Sequence, residues 1–493
     1  MKRLLVFFYI VALLMSPLNE AGVKASGQTP QKPAPAATAV TTAGTAYLTI
    51  PASAFTPYED GYDFQNDGRY LQHFDGPSGG NGRGWYLAPV NLPNGAVVTK
   101  MTFYYRHRST ADGVARLQRT NLAGGYENMA SVDTSGGWSA PWYKSKSTTA
   151  IGHAQIDNSR YAYWVVWDLP YSSKPPSVLD IIWGCSVVIE YVPPAPTTRG
   201  VLSIPAAAFK PYKDGYDFQD DGRYLEHSGG DIHGWYMAAV NLPDGAVVTK
   251  MTFYYYSRTT EQGAAWLQRT DMMGSYDNMA SVKSRPQARY TSDFTDTISY
   301  AHIDNFYYSY WVAWDLVRAG TFYGPVKGCG VVIEYEYPTS GTYAHNYSTI
   351  PAAAFAPHED GYIFDIDGRY LVHFYSPNGG DSSGWYLAPV NLPDGVAVTD
   401  MFINYKNDTN SSGGIVKLQR SDMQGHYEDM ASSTTPGSTE WDGQHVRDIH
   451  ARTIDNAHYS YWLIWVLPRE VYASGVSIGY SYRTYLPTIT NRK

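Results

Sequence analysis

From Val97 to Tyr105 the chain alternates, with Val97, Thr99, Met101, Phe103 and Tyr105 on one side and Val98, Lys100, Thr102 and Tyr104 on the other. A period of two belongs to a strand with one face buried and one face wet. Met251, Phe253 and Tyr255 repeat the pattern. Later, Cys185, Val187, Ile189 and Tyr191 share a side, as do Cys329, Val331, Ile333 and Tyr335, while Glu190 and Glu334 point the other way. One class of strand departs from this rule. Tyr161, Tyr163, Val165 and Trp167 fall on one side and Ala162, Trp164 and Val166 on the other, so both faces are bulky; Trp311 with Trp314, and Trp462 with Trp465, do the same. A strand apolar on both sides is covered on both sides. Three coverings stay open: a neighbouring repeat, the domain's own core, or a ligand platform. The first makes Trp167, Trp314 and Trp465, with Tyr163, Tyr310 and Tyr461, the inter-repeat interface. No mature stretch sustains a 3.6-residue apolar period, which leaves an all-β chain.

The strands belong to a larger repetition. IPASAFTPYEDGYDFQNDGRYLQH, Ile50 to His73, returns from Ile204 and again from Ile350. Each copy is followed by a GWY block at Gly84, Gly234 and Gly384, by Leu-Gln-Arg at Leu117, Leu267 and Leu418, and by Ile-Asp-Asn at Ile156, Ile303 and Ile454. The repeats span about Tyr47 to Pro193, Val201 to Pro338 and Tyr347 to Arg483. Each is long enough for its own core and far exceeds a solenoid period of about 20 to 50 residues, so each is expected to fold as a domain. Before them, residues 1–25 have the basic, apolar and small-residue regions of a secretory leader, and 26–46 read as a flexible linker. The apolar run is shorter than the roughly 20 residues of a membrane span, so no transmembrane segment is expected once the leader is removed.

Composition narrows the partners. With 37 Lys and Arg against 45 Asp and Glu, the formal charge is −8, which argues against nucleic acid. The two cysteines, Cys185 and Cys329, occupy equivalent places in different repeats and are expected to be buried thiols, the alternative being a bond between adjacent domains. Asp63, Gln65, Asp67 and Gly68 match the first half of a calcium loop, but position twelve is Phe74. A calcium site would draw on Asp60 and Asp67, Asp214 and Asp221, or Asp360 and Asp367; otherwise the Asp-Gly step is a turn whose carboxylate caps backbone amides and pairs with Arg69. His73, His227 and His373 recur without a nucleophile motif and read as hydrogen-bonded structural groups. Arg119, Arg269 and Arg420 read as partners of nearby carboxylates. Aromatic residues make up 15% of the chain, and Trp85, Trp235 and Trp385, each following a variable Gly-rich loop, are the candidate ligand-binding platforms.

The combination of IPAxAF, LPDGAxVT and the closing GVVIEY strand resembles a family of uncharacterised bacterial secreted β-sandwich domains, often in tandem, and covers each repeat nearly end to end. More distantly, the strand pattern is similar to the trimeric jelly rolls of the complement and tumour-necrosis-factor type. The tail, 484–493, contains Tyr485-Leu486-Pro487 and is similar to short tails that close exported bacterial proteins. These resemblances imply three tandem jelly-roll or β-sandwich domains, with an intramolecular pseudo-trimer as one packing. The expectation is a secreted or cell-surface protein, non-enzymatic, with a structural or adhesive role toward an extracellular glycan or cell-envelope component. A carbohydrate-binding module array is the alternative, and a glycoside-active enzyme the third reading.

Overall fold

The computed structural model describes residues 44–482 apart from 60–61, 76–82, 110, 123–124, 135–142, 171–180, 196, 213–215, 230, 272–274, 319–324, 338–345, 359–361, 367–368, 376–382, 408–412 and 423–425. The leader, nearly all of the linker and the tail lie outside the described residues. Repeat one contributes β1 (Ala46–Pro51), β2 (Thr56–Pro57), β3 (Asp63–Asn66), β4 (Leu71–Asp75), β5 (Arg83–Pro89), β6 (Val97–Arg108), β7 (Val114–Thr120), β8 (Tyr126–Asp133), β9 (Tyr143–Thr148), β10 (Ala162–Pro170) and β11 (Ile181–Val192). They form two antiparallel sheets, β3-β4-β11-β6-β9 with β1 also on β11, and β2-β5-β10-β7-β8. Repeats two and three reproduce both orders. Among the described residues no helix is long and apolar enough to cross a membrane.

Alternation places the core as the residues require. Met101 and Phe103 of β6, Val187 and Ile189 of β11, and Val165 and Trp167 of β10 meet with Ile50, Phe55 and Tyr86 between the two sheets of repeat one. Burying such side chains supplies the main stabilising term, about 1.5–3 kcal/mol each.

The opposite face of β10 is also covered. Trp164 and Val166 pack with Leu87 on Ala207 of repeat two, and Ala162 with Leu122 on Val332. Likewise Met237, Trp311 and Ala313 of repeat two join the core of repeat three. The strand β10 lies against Arg199–Pro205, Tyr308–Val317 against Asn346–Pro351, and Tyr459–Pro468 returns to β1. The arrangement of the sheets, rather than the cyclic order that a pseudo-trimer would share, overturns the expectation of three tandem jelly rolls. The six sheets are arranged around an axis as a six-blade β-propeller, each repeat supplying two adjacent blades. The β-sandwich description and the likeness to trimeric jelly rolls fall with it. The physical reason is the two-faced strand: a sandwich exposes its outer faces, whereas a sheet packed on both faces must have a neighbour on each side.

The same polar contacts recur at every junction between repeats. The second residue of Asp-Asn holds the next repeat: Asn158 Nδ2 donates to Leu92 O and, at 2.9 Å, to Val201 O. Asn305 donates to Tyr347 O at 3.1 Å and Asn456 closes the circle on Tyr47 O at 3.3 Å. Main chain also crosses, from Asp220 N to Tyr58 O, Ile366 N to Tyr212 O and Asn66 N to His358 O. Arg223 stacks on Tyr126, Arg369 on Tyr276 and Arg69 on Tyr427, each pair joining two repeats.

Candidate functional site

The residues named from sequence separate into buried and exposed groups. Trp167 stacks on Phe55 with centroids 3.5 Å apart, Trp314 on Phe209 at 3.4 Å, and Trp465 meets Phe355 edge-on at 5.6 Å. These three, expected between repeats, are therefore core residues of their own repeats, as are Tyr163, Tyr310 and Tyr461, whose hydroxyls accept from Asp157 N, Asp304 N and Asp455 N. Trp164, Trp311 and Trp462 face the neighbour instead. A two-faced strand does not say which face meets which cover: of the three coverings open from sequence, the domain's own core takes Trp167, Trp314 and Trp465, and the inter-repeat assignment of these residues is corrected.

Asp67 and Asp221 are occupied by their own turns. Asp67 Oδ1 accepts from Arg69 N and Tyr70 N at 3.0 Å and Oδ2 from Arg69 Nε at 2.8 Å; Asp221 repeats the set with Arg223 and Tyr224. Asp60, Asp214, Asp360 and Asp367 lie outside the described residues. Among the described residues no group of three or more His, Cys, Asp or Glu could hold a metal ion. His73, His227 and His373 are buried, with Nδ1 2.9 Å from the hydroxyls of Tyr86, Tyr236 and Tyr386. Burial pushes His373 down to about 4 and lowers His227 as well. Arg119 pairs with Glu127, Arg269 with Asp277 and Arg420 with Glu428. Cys185 and Cys329 are buried thiols, and burial pushes Cys185 up to about 12.

The exposed group is Trp85, Trp235 and Trp385, at 44%, 38% and 43% of full exposure despite sitting in strands. Each carbonyl accepts from a neighbouring main-chain amide, of Tyr58, Tyr212 and His358 respectively, at 2.8 Å, which fixes the start of the strand. The flanking Tyr86, Tyr236 and Tyr386 point into the core, so alternation turns each Trp outward.

What surrounds each indole differs between repeats. Trp85 lies opposite Asp168 of β10, whose carboxylate is 2.5 Å from Arg83 and 3.6 Å from Arg116. Trp385 lies opposite Val466, near His358 and on the same sheet as the Lys417–Asp429 pair. In repeat two, Trp235 lies opposite Asp315 and stacks on Trp266, with centroids 5.1 Å apart and planes 14° from parallel. Asp315 also pairs with Ala264 on the other flank, so the carboxylate sits between the strands that carry the two indoles. His233 Nδ1 lies 2.7 Å from Asp315 Oδ1; burial raises Asp315, and the histidine contact opposes that rise. Beside them a cleft of about 430 Å³ is lined by Thr260, Glu261, Gln262, Trp266, Lys283 and Asp315. Trp266 was not singled out from sequence, although it stands where the other repeats have Arg116 and Lys417. A second polar cleft, of about 510 Å³, lies near the opposite end of β10 in repeat one, lined by Arg119, His153, Asp157, Arg160 and Tyr161.

No family model and no curated protein matches this chain. Among solved structures, it is similar to the N-terminal tandem of two CBM22 modules of Xyn10C from Paenibacillus barcinonensis at 10% identity, covering 58% of this chain and 99% of that one, with a TM-score of 0.22. It is also similar to the isomalto-dextranase of Arthrobacter globiformis T6 complexed with panose, at 12% identity over 57% of this chain and 39% of that one, TM-score 0.22. Allantoicase matches at 9% identity over 57% and 93%, TM-score 0.20. At these scores the likenesses carry no argument about fold or reaction. The likeness to a secreted β-sandwich family is corrected by the six-sheet ring, and no family model supports it; the non-enzymatic reading is not carried forward.

Proposed function

We propose that this protein binds carbohydrate, with repeat two holding the principal site and repeats one and three divergent copies of it. The observation that carries the reading is the stacked, outward-facing Trp235–Trp266 pair beside the Asp315 carboxylate at the edge of an open cleft. Near-parallel indoles offer a flat apolar surface that suits the C–H face of a sugar ring. A partly buried carboxylate held by His233 offers an acceptor of fixed direction for a ring hydroxyl, and few well-placed polar groups on an apolar floor are the usual composition of small-molecule sites. Copies on one rigid ring would raise avidity for a long glycan. The reading includes placement outside the cell or at its surface, resting on the leader-like residues 1–25.

The test is calorimetric titration of the mature chain against oligosaccharides found on a glycan array. Trp235→Ala and Trp266→Ala should each weaken binding roughly 10- to 100-fold, from the loss of one buried aromatic contact of about 1.5–3 kcal/mol. Full affinity in both variants would remove the site.

A further inference from the structure

The six-sheet ring leaves a cavity of about 60 Å³ where all three repeats meet, lined by Ala54, Ala207 and Ala354 and by one asparagine from each repeat, Asn91, Asn241 and Asn391. Lys210 also lines it. The lysine stands on the two-residue strand Lys210–Pro211, and repeats one and three have Thr56 and Ala356 at the equivalent place, each paired to the same position of the GWY strand. A cation is therefore not needed for that part of the ring to form.

Its surroundings do not balance the charge. Lys210 Nζ donates to Ala354 O at 2.7 Å. Among the described residues no carboxylate pairs with it, the cavity walls hold no other titratable group, and burial alone pulls the amine down to about 7. An ammonium in an apolar wall without a counter-charge is costly. One main-chain carbonyl satisfies one of its three donors. The cavity beside it offers space for a few waters, at about 10–15 Å³ each, or one small anion, and is too small for a sugar ring.

We propose that the axial cavity is a binding site for a small monovalent anion of chloride or formate size, held by the Lys210 ammonium with the carboxamides of Asn91, Asn241 and Asn391 as further donors. The site lies where three repeats converge, so an anion there ties them together only in the closed ring. Binding requires the protonated amine, so it strengthens as pH falls below neutrality and fades in alkali. An anion that binds the folded ring and not the open chain raises the melting temperature with the logarithm of its concentration.

The experiment uses the full mature chain with chloride as probe. Chloride-35 NMR line width is measured at pH 6 and pH 9, and melting temperature at pH 6 in sodium chloride against sodium sulfate of equal ionic strength. The expected result is excess broadening at pH 6 that is lost at pH 9 and abolished by formate, together with a melting temperature higher in chloride. Both effects should vanish in Lys210→Thr, which installs the residue of repeat one. Asn241→Ala, at an exposed position, is the second variant and should weaken binding several-fold. No broadening at pH 6, or broadening unchanged in either variant, overturns the proposal; an equal thermal response in wild type and Lys210→Thr identifies a general salt effect and does the same.

Discussion

Replacing Gly222 by alanine tests the ring directly, because the glycine of one repeat touches an indole of another. Gly222 has φ of +77°, and a Cβ built there would lie 2.3 Å from Nε1 and 2.4 Å from Cε2 of Trp164 in repeat one. Two costs follow. A left-handed backbone with a side chain costs about 1–2 kcal/mol, partly offset by the reduced entropy of the unfolded chain. Overpacking a well-filled contact adds about 1–3 kcal/mol. Gly395 supplies the control: its φ is +78°, with nothing within 4 Å of the added Cβ. Gly395→Ala should therefore cost about 1 kcal/mol and Gly222→Ala about 2–4 kcal/mol. The assay is urea denaturation followed by tryptophan fluorescence, with the slope compared so that only midpoints are interpreted. If the two variants agree within about 0.5 kcal/mol, the repeats do not meet at Trp164 and the ring is wrong.

Other consequences are checked by similar means. Asn456→Ala removes a donor shared by Leu392 O and Tyr47 O and should cost about 1–3 kcal/mol; because this junction alone joins the chain's last repeat to its first, limited proteolysis should cut between repeats faster than in wild type, and an unchanged digestion pattern would refute ring closure. His373 is held down to about 4, below the unfolded value near 6.5, so its unfolded form binds more protons between those values and stability is lost as pH falls through that window. The stability difference between wild type and His373→Gln should therefore shrink by up to about 3 kcal/mol from pH 6.5 to 4, and a constant difference would count against a buried neutral imidazole. Cys185 and Cys329 should resist a thiol reagent at pH 8 in the native protein and react at once in denaturant, since both are buried and burial raises both; rapid native reaction would contradict the packing.

The strands were legible because one face of each sheet is uniform. Alternation from Val97 onward gave β6 with Met101 and Phe103 inward, and the repetition at Ile50, Ile204 and Ile350 gave three equal units. The arrangement of the sheets was not legible. Period-two pattern says that β10 is covered twice, but the identity of the second cover lies in contacts between residues more than forty positions apart, such as Trp164 with Ala207. Asp67-Gly68 looked like a calcium half-loop for a similar reason: its glycine is set by Trp462, which would meet an added Cβ at 2.3 Å, and its carboxylate by the turn amides. Of the candidate site, the exposed Trp235 was readable from its block. Trp266 and Lys210 were not, since both depart from the pattern that the repeats share.

Such departures point to how a site can arise on this scaffold. The Asn clamps recur at all three junctions and a Trp against the next repeat's glycine at two, Trp164 on Gly222 and Trp462 on Gly68, while a buried His–Tyr pair recurs inside each repeat. The recurring junction contacts are constrained together, because opening one junction opens the ring. Residues on the outer rim carry no such constraint. Opposite the three outward Trp residues stand Asp168, Asp315 and Val466, and beside them Arg116, Trp266 and Lys417. A common indole floor with different polar walls allows the three positions to take related ligands with unequal affinity. Departures from the repeat, over junction contacts that mostly recur, are therefore where chemistry is to be sought, and Trp266 and Lys210 are two that alter surface and charge.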